Sequence, residues 1–346
     1  MSLEKGIFVA AEYASAAIPD KPKLAPWIVL VDLGDGRIQL RGALTRFILP
    51  HAFFSDAFKA IQPYLDGSRE IDAIKNVGGV DPTAADFVMR MLASNGLLLP
   101  GDLSVECSSE SFRFLGQVSN RAAYLPEVLK TKLVWLVGDD GIDATLAPML
   151  TRVGISRLEV IDGKTPDLPD RCNELLDRGV GQPDLIVATT RRFSDGLFNT
   201  LNDYCQSKGI RWLTAVLNGP QARIGPTFIP HQTACYTCLK ARLNSNSDDD
   251  VADRAFDLQL KTQDEPSQGE LDPFTLAIAG QLALETIRLL AGTSEPTTIG
   301  RLYRFDAYTP ETEAHNVLRV PRCESCSKTA TLRRPWDTQL THGIPS

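Results

Sequence analysis

The sequence predicts an α/β protein of two domains, and three observations lead to this prediction. The chain has 346 residues, which exceeds the size at which one hydrophobic core usually stops growing. Residues 23–101 have the pattern of three strands followed by three short helices, and residues from 133 onward alternate apolar strands with helices. We therefore expect an N-terminal domain at 1–103, a connector at 104–130 and a Rossmann-type α/β domain at 131–346.

The N-terminal elements are predicted from turns, caps and hydrophobic spacing. Residues 27–41 form a hairpin that turns at Gly34-Asp35-Gly36, and a third strand follows at 44–49. Helices are predicted at 53–65, 68–78 and 82–96, the last of them opened by Asp81 and Pro82. This order of strands and helices is typical of a small winged-helix domain.

The amino-acid composition and net charge exclude some classes of protein. Hydrophobic residues at 43% and charged residues at 23% are ordinary for a globular chain. A formal net charge of −7 disfavours a general nucleic-acid binder, which needs a basic face to displace counterions. No run of eighteen apolar residues and no signal-peptide pattern is found, so we expect a cytoplasmic protein that neither spans nor binds a membrane.

Four of the seven cysteines form two C-x2-C pairs, Cys235 with Cys238 and Cys323 with Cys326. Cytoplasmic thiols stay reduced, so this pattern favours a metal site over disulfides. Two such pairs complete a tetrahedral shell for one structural zinc ion and leave no position open for catalysis. The alternative is that all four are small buried hydrophobic residues, which is the interpretation we prefer for Cys107, Cys172 and Cys205, because none of these three has partner spacing.

A nucleotide-like turn follows the strand at 133–137. Gly138 and Gly141 stand where a Rossmann-type fold cradles phosphates, but Asp139 and Asp140 lie between them and oppose an anion. Asp162 ends the next strand, where an acidic residue can hold a ribose hydroxyl or simply cap a turn. We interpret the turn as a degenerate nucleotide site.

Residues 131–328 resemble the ThiF/MoeB-like adenylating fold. The resemblance rests on the βαβ opening, the segment Cys235-Tyr236-Thr237-Cys238, the helix predicted at 274–292 and the late pair Cys323-Glu324-Ser325-Cys326. Three family motifs are altered. The G-x-G-G-x-G loop is incomplete, the N-x-x-R-Q segment has no match after Asp162, and Arg191 stands where the family has a magnesium-holding aspartate. The resemblance therefore implies an adenylating fold without adenylation, and ATP is not expected as a cofactor.

Residues 23–101 resemble the RiPP recognition element, a winged-helix domain related to PqqD-type peptide chaperones. The fusion of both halves looks like the leader-peptide-binding partner of YcaO cyclodehydratases, which make azoline and azole peptides. This resemblance implies that a leader peptide adds a strand to the small sheet. The third strand and third helix would provide the contacts: Leu44, Thr45, Phe47, Ile48, Phe87, Arg90 and Met91. Taken singly, each of these residues also fits a core or solvated position.

Three hypotheses of function follow. The first is a subunit that has no catalytic residues of its own, binds a ribosomal precursor peptide and presents it to a separate YcaO enzyme for azoline or azole formation. The second is an ATP-dependent adenylating enzyme that acts on a peptide. The third is a DNA-binding regulator, although the third helix has one arginine against the nearby Asp81 and Asp86. The family resemblance further implies a homodimer.

Overall fold

The computed structural model describes residues 17–42, 46–49, 52–103, 109–118, 125–138, 142–165, 167–191, 195–246, 251–252, 255, 269, 271–292, 295–309 and 311–327. The chain divides into two compact units. Unit 1 comprises Met1–Thr131, Arg152–Gly154 and Ala291–Glu295. Unit 2 comprises Lys132–Thr151, Ile155–Leu290 and Pro296–Ser346.

The described residues of unit 1 form two small antiparallel sheets. Strand β1 (Pro22–Leu24) pairs with β5 (Leu98–Pro100). The second sheet has the order β2-β3-β4, with β2 at Val29–Asp32, β3 at Ile38–Arg41 and β4 at Arg46–Ile48. The predicted hairpin and third strand are confirmed, and β2 and β4 are the two edges of this sheet.

Five α-helices of unit 1 lie in the described residues: α1 (Ala52–Ile61), α2 (Ile71–Lys75), α3 (Pro82–Ser94), α4 (Ser109–Val118) and α5 (Leu125–Thr131). The carboxylate of Asp81 accepts the backbone N–H groups of Thr83 at 2.8 Å and Ala84 at 3.4 Å, so the predicted start of α3 is confirmed. Helix α2 is shorter than predicted, and the segment 104–130, predicted as a connector, contains α4 and part of α5. The winged-helix assignment of 1–103 stays a prediction.

Unit 2 is built on a seven-stranded sheet of order β12-β11-β10-β9-β8-β6-β7. Its strands are β6 (Leu133–Gly138), β7 (Arg157–Asp162), β8 (Leu185–Thr190), β9 (Trp212–Asn218), β10 (Gln221–Phe228), β11 (Arg301–Asp306) and β12 (Thr312–Asn316). Strands β6 to β9 are parallel, which confirms the predicted βαβ opening, and the other three are antiparallel. The chain passes from β6 to β7 on one side and returns to β8 on the other, so the strand order reverses beside β6.

In the residues that the structure describes, the helices of unit 2 include α6 (Ile142–Arg152), α7 (Leu168–Asp177), α8 (Asp195–Lys208), α9 (Tyr236–Ser245) and α10 (Asp272–Ala291). One face of the sheet, with Trp135 and Trp212, packs with Leu201 of α8 and the four paired cysteines in a single core. Burial of these apolar side chains away from water is the main favourable term in the folding of the unit.

Helix α10 is the one described helix that is long and apolar enough to cross a membrane, with a mean hydropathy of 1.4. The same window is 56% buried inside the protein, as is typical of the core helix of a soluble fold. The helix was predicted at 274–292 and begins two residues earlier, at Asp272. Gly292 follows the end with φ +61°, a conformation that glycine adopts without strain.

Candidate functional site

The four paired cysteines meet in unit 2, although the two pairs are far apart in sequence. Cys235 immediately precedes α9 and Cys238 lies in its first turn, while Cys323 and Cys326 lie in the turn after β12. All four Sγ atoms lie within 4.8 Å of one another. The Sγ of Cys235 is 3.7 Å from that of Cys238 and 3.6 Å from that of Cys323, and Cys238 is 3.6 Å from Cys326.

This geometry fits a metal ion. Thiolates bound to Zn²⁺ at about 2.3 Å in a tetrahedron stand about 3.8 Å apart, close to the observed separations. All four thiols are buried, and such a set offers a soft shell suited to zinc. The four cysteines could therefore hold one metal ion, and no ligand position would remain for substrate.

Polar contacts around the cluster stabilise it. The backbone N–H of Val320 donates to Cys238 Sγ at 3.3 Å. The hydrogen bond from the Cys235 thiol, with that from Val320, lowers the pKa of Cys238 to about 4 against the opposing effect of burial. The pKa of Cys235 is raised, because it donates to Cys238 and is buried. Of the hydrogen-bonded pair Cys235 and Cys238, Cys238 is thus the thiol that carries the negative charge.

A second set of hydrogen bonds joins the two cysteine segments. The side chain of Arg242 in α9 donates to the carbonyl oxygens of Leu318 at 2.5 Å and Arg319 at 3.1 Å. The hydroxyls of Thr237 and Ser325 are 2.8 Å apart. Sequence reasoning missed these residues, since nothing in their spacing indicates a partner so far along the chain.

The degenerate nucleotide turn lies where the strand order reverses, at the ends of β6 and β8. A Cβ placed on Gly138 would lie 2.7 Å from Asp143 Oδ1 and 2.8 Å from Thr189 Oγ1, so side chains of this protein already surround the glycine. Thr189 Oγ1 is buried and has no hydrogen-bond partner within the described part of the chain. A carboxylate at this point opposes a bound phosphate. Asp139, Asp140 and Gly141 lie outside the described residues.

Asp162 and Arg191 flank the same edge of the sheet. Asp162 is exposed, and its carboxylate accepts the backbone N–H of Lys164 at 2.9 Å, as a turn cap does. Arg191 follows β8 directly and is half-buried. A cation cannot coordinate magnesium, and the interpretation of this edge as a degenerate nucleotide site stays a prediction.

The residues predicted to contact a peptide belong to unit 1. Phe47 and Ile48 are half-buried on the edge strand β4, which pairs with β3 through Leu40 opposite Phe47 and Gln39 opposite Ile48. Leu44 and Thr45 lie outside the described residues. Strand β4 is an edge of its sheet, and the peptide contacts of these residues stay a prediction.

Helix α3 supplies the other predicted contacts. The rings of Phe87 and Phe54 are 4.5 Å apart, and Arg90 Nε donates to Asp86 Oδ2 at 2.7 Å. Burial raises the pKa of Asp86, but hydrogen bonds from Arg90 and Lys75 outweigh it and hold the pKa below its ordinary value. Met91 is only 1% exposed and packs in the core of unit 1. We correct the prediction that Met91 lines a groove, because a fully packed side chain cannot reach a peptide.

The remaining cysteines match the buried-thiol interpretation where the structure describes them. Cys172 and Cys205 are both fully buried in the core of unit 2. Burial raises the pKa of Cys172 to about 11 and raises that of Cys205 further. Neither thiol is a reactive nucleophile at neutral pH. Cys107 lies outside the described residues.

Comparison with known proteins agrees with the fold of unit 2. Residues 167–327 match the ThiF family, so the chain contains a ThiF-like Rossmann-type domain. No curated protein gives a significant sequence match.

Several solved structures share the fold. A heterocyclase in complex with substrate and cofactor is 20% identical over 88% of this chain and 39% of its own, with a TM-score of 0.67. The heterocyclase TruD is 22% identical over 89% of this chain and 43% of its own chain, with a TM-score of 0.67. MccB of E. coli, solved with AMPCPP and MccA, is 18% identical over 88% of this chain and 99% of its own chain, with a TM-score of 0.62. The chain thus spans about two fifths of either heterocyclase.

Proposed function

We propose that this protein binds the leader of a ribosomal precursor peptide and presents it to a YcaO cyclodehydratase that forms azolines or azoles. In this function the chain performs no chemistry, and the partner enzyme consumes ATP. The observation that carries the proposal is the edge strand β4 of unit 1, which holds the half-buried Phe47 and Ile48, with Phe47 one of several aromatic side chains that pack against the core of this unit.

Strand addition explains how the leader would bind. An extended peptide satisfies the outward backbone groups of β4, and its alternate side chains meet apolar surface. Phe47 packs partly against the core of unit 1, as do Phe54 and Phe87. Phe53 is 55% exposed, and its ring centroid is 5.5 Å from that of Phe54. Its ring therefore offers apolar surface to solvent next to Phe54. A peptide that buries part of it gains roughly 25 cal/mol per Å² of apolar area.

The nucleotide turn supports a presenting role over catalysis. Asp143 and Thr189 crowd Gly138, and Arg191 stands where a magnesium-binding carboxylate would be needed. The heterocyclases with this fold are more than twice as long as the aligned region, so their remaining residues can carry the chemistry. We assign that part, in this system, to a separate YcaO chain.

The four-cysteine cluster has a structural role in this proposal. One Zn²⁺ ion would join the start of α9 to the turn at Cys323 and Cys326. Its ligands are cysteines, which a reducing cytoplasm keeps available, and we place the protein in that compartment.

An adenylating enzyme is the second candidate, and the likeness to MccB favours it. MccB was solved with AMPCPP and MccA, and it aligns over 99% of its own length and 88% of this chain, more than unit 2 alone contributes. In that case peptide binding would be joined to ATP cleavage on this chain.

Reconstitution separates the two candidates. A candidate precursor peptide and a YcaO enzyme are incubated with ATP, with and without this protein, and ring formation is followed by mass spectrometry as loss of one water per ring. We expect rings at least about 100-fold faster when this protein is present, because tethering the leader raises the effective concentration of substrate. Arg191→Ala serves as a control that keeps this stimulation. Equal rates with and without the protein contradict the proposal.

A further inference from the structure

One end of the three-stranded sheet in unit 1 carries two arginines side by side. Arg41 ends β3 and Arg46 begins β4, and the register of the two strands places them directly opposite each other. Both residues are exposed. Like charges that face each other across two strands destabilise the pairing of those strands. The arginine pair is therefore unfavourable for the chain by itself.

Neither arginine has an acidic partner among the described residues. At the opposite end of the same sheet, by contrast, Arg37 pairs with Asp35 at 2.6 Å. Lys59 pairs with Asp32 at 3.2 Å nearby. The formal net charge of the chain is −7, so acidic side chains are plentiful elsewhere. The uncompensated pair of guanidinium groups on β4 and its neighbour thus favours an anion that comes from another molecule.

The register of β3 and β4 determines what an added strand would meet. Side chains alternate between the two faces of a sheet, so Arg46 and Ile48 share one face and Phe47 lies on the other. Phe47 is opposite Leu40 and packs against the core of unit 1. Ile48 is half-buried opposite Gln39, which is 5% exposed. A strand paired with β4 therefore has one residue beside a cation and two beside apolar side chains.

A carboxylate beside Arg46 would complete the charges of this row. Cross-strand neighbours have Cβ atoms about 5 Å apart, within the reach of an arginine and a carboxylate. Arg41 lies one strand further in, about 5 Å beyond, and adds to the positive potential at the same point. One anion would thus attract both guanidinium groups and offset the repulsion between them. A lysine in that position would instead place three cations in one row.

We infer that the leader peptide carries an aspartate or glutamate beside Arg46, next to two apolar residues that lie beside Phe47 and Ile48. This inference rests on the proposed leader binding and adds to it the charge pattern of the peptide and the residue that selects it. Electrostatic complementarity of this kind selects among partners and speeds their association more than it raises affinity. The pattern should therefore appear mainly as a sequence preference.

Selection from a phage-displayed library of short random peptides tests the sequence preference without a known leader. Peptides that also bind Phe47→Asp are removed first, so that the remaining ones report on β4. We expect the native protein to enrich peptides with Asp or Glu at a fixed place beside two apolar residues. Arg46→Glu should enrich Lys or Arg at that place instead. Arg37→Glu changes the net charge equally at the other end of the sheet, and it should select the native pattern.

One selected peptide and its counterpart with lysine for the acidic residue give the size of the effect by fluorescence anisotropy. Arg46→Glu should weaken binding of the acidic peptide at least about fivefold and reverse the preference between the two peptides. Arg41→Glu should give a smaller loss, because Arg41 is one strand further away. Each difference should shrink as the salt concentration rises. The Tm of Arg46→Glu should not fall, since an opposite-charge pair replaces a like-charge pair.

The possible results distinguish a failure of this inference from a failure of the proposed function. A native protein that enriches no peptide contradicts strand addition at β4 and the proposed function with it. Enriched peptides without an acidic preference, or the same preference in the native protein and Arg46→Glu, overturn the charge pattern alone. Reversal of the preference by Arg46→Glu, with the native pattern kept by Arg37→Glu, supports the inference.

Discussion

Cys235→Ser combined with Cys323→Ser is expected to release the bound metal and to destabilise unit 2 by at least about 3 kcal/mol. Each C-x2-C pair loses one thiolate, so the remaining two sulfurs cannot complete a tetrahedral shell. Structural zinc contributes on the order of 10 kcal/mol to small metal-dependent folds, and a larger core such as that of unit 2 retains part of its stability without the ion. Elemental analysis and urea unfolding measure the two effects on the same sample.

Cys205→Ser provides the matched control for this variant. Cys205 is fully buried in the same core as the four-cysteine cluster, but it is not one of the four candidate ligands, and burial raises the pKa of its thiol. Burying a hydroxyl there costs about 1–3 kcal/mol and should leave the metal content at one ion per chain. A double variant that keeps one ion and its full stability would refute a structural metal site at the four cysteines.

Phe47→Asp is expected to weaken leader-peptide binding by at least about 30-fold, which corresponds to about 2 kcal/mol. The carboxylate removes apolar surface from the edge strand β4 and places a charge where an apolar side chain of the peptide would pack. Val29→Asp is the matched control, because Val29 is 64% exposed on β2, the opposite edge of the same sheet. Fluorescence anisotropy with a labelled leader gives both affinities.

Phe47 is half-buried, so its replacement by aspartate also affects the stability of unit 1. A second test therefore changes the peptide and leaves the protein unaltered. Leader peptides with single N-methyl groups keep the protein unchanged and remove one backbone donor at a time. Strand addition predicts that affinity falls at alternate positions along the bound segment, since alternate N–H groups face the sheet edge. A leader that tolerates N-methylation at every position does not bind by adding a strand.

Much of the fold could be predicted from local signals. Asp81 and Pro82 set the start of α3, and the apolar run at 133–137 defined the first parallel strand. Strands β1 and β5 were missed because each has only three residues, and their pairing joins distant parts of the chain. Strands β11 and β12 were also missed. The side chains of β12 are all exposed and lack the alternation of apolar and polar residues that indicates a strand.

For the candidate sites too, features set by local sequence spacing could be predicted, and features set by tertiary packing could not. The cysteine spacing was enough to predict that four thiols meet, because ligands to one ion have a restricted geometry. Met91 was misplaced because residues on one helix share a stripe whether they face a core or a groove, and burial alone separates these cases. The crowding of Gly138 by Asp143 and Thr189 depends on how α6 and β8 pack, which no local pattern encodes.

Isothermal titration of the purified protein tests the central claim most directly, with leader peptide and ATP-magnesium added in separate experiments. We expect leader binding with a micromolar or lower dissociation constant and no heat from ATP, because the Asp143 carboxylate lies close to Gly138 and the cation of Arg191 cannot coordinate magnesium. Saturable ATP binding, followed by pyrophosphate release when the peptide is added, would contradict it and establish the adenylating enzyme in its place.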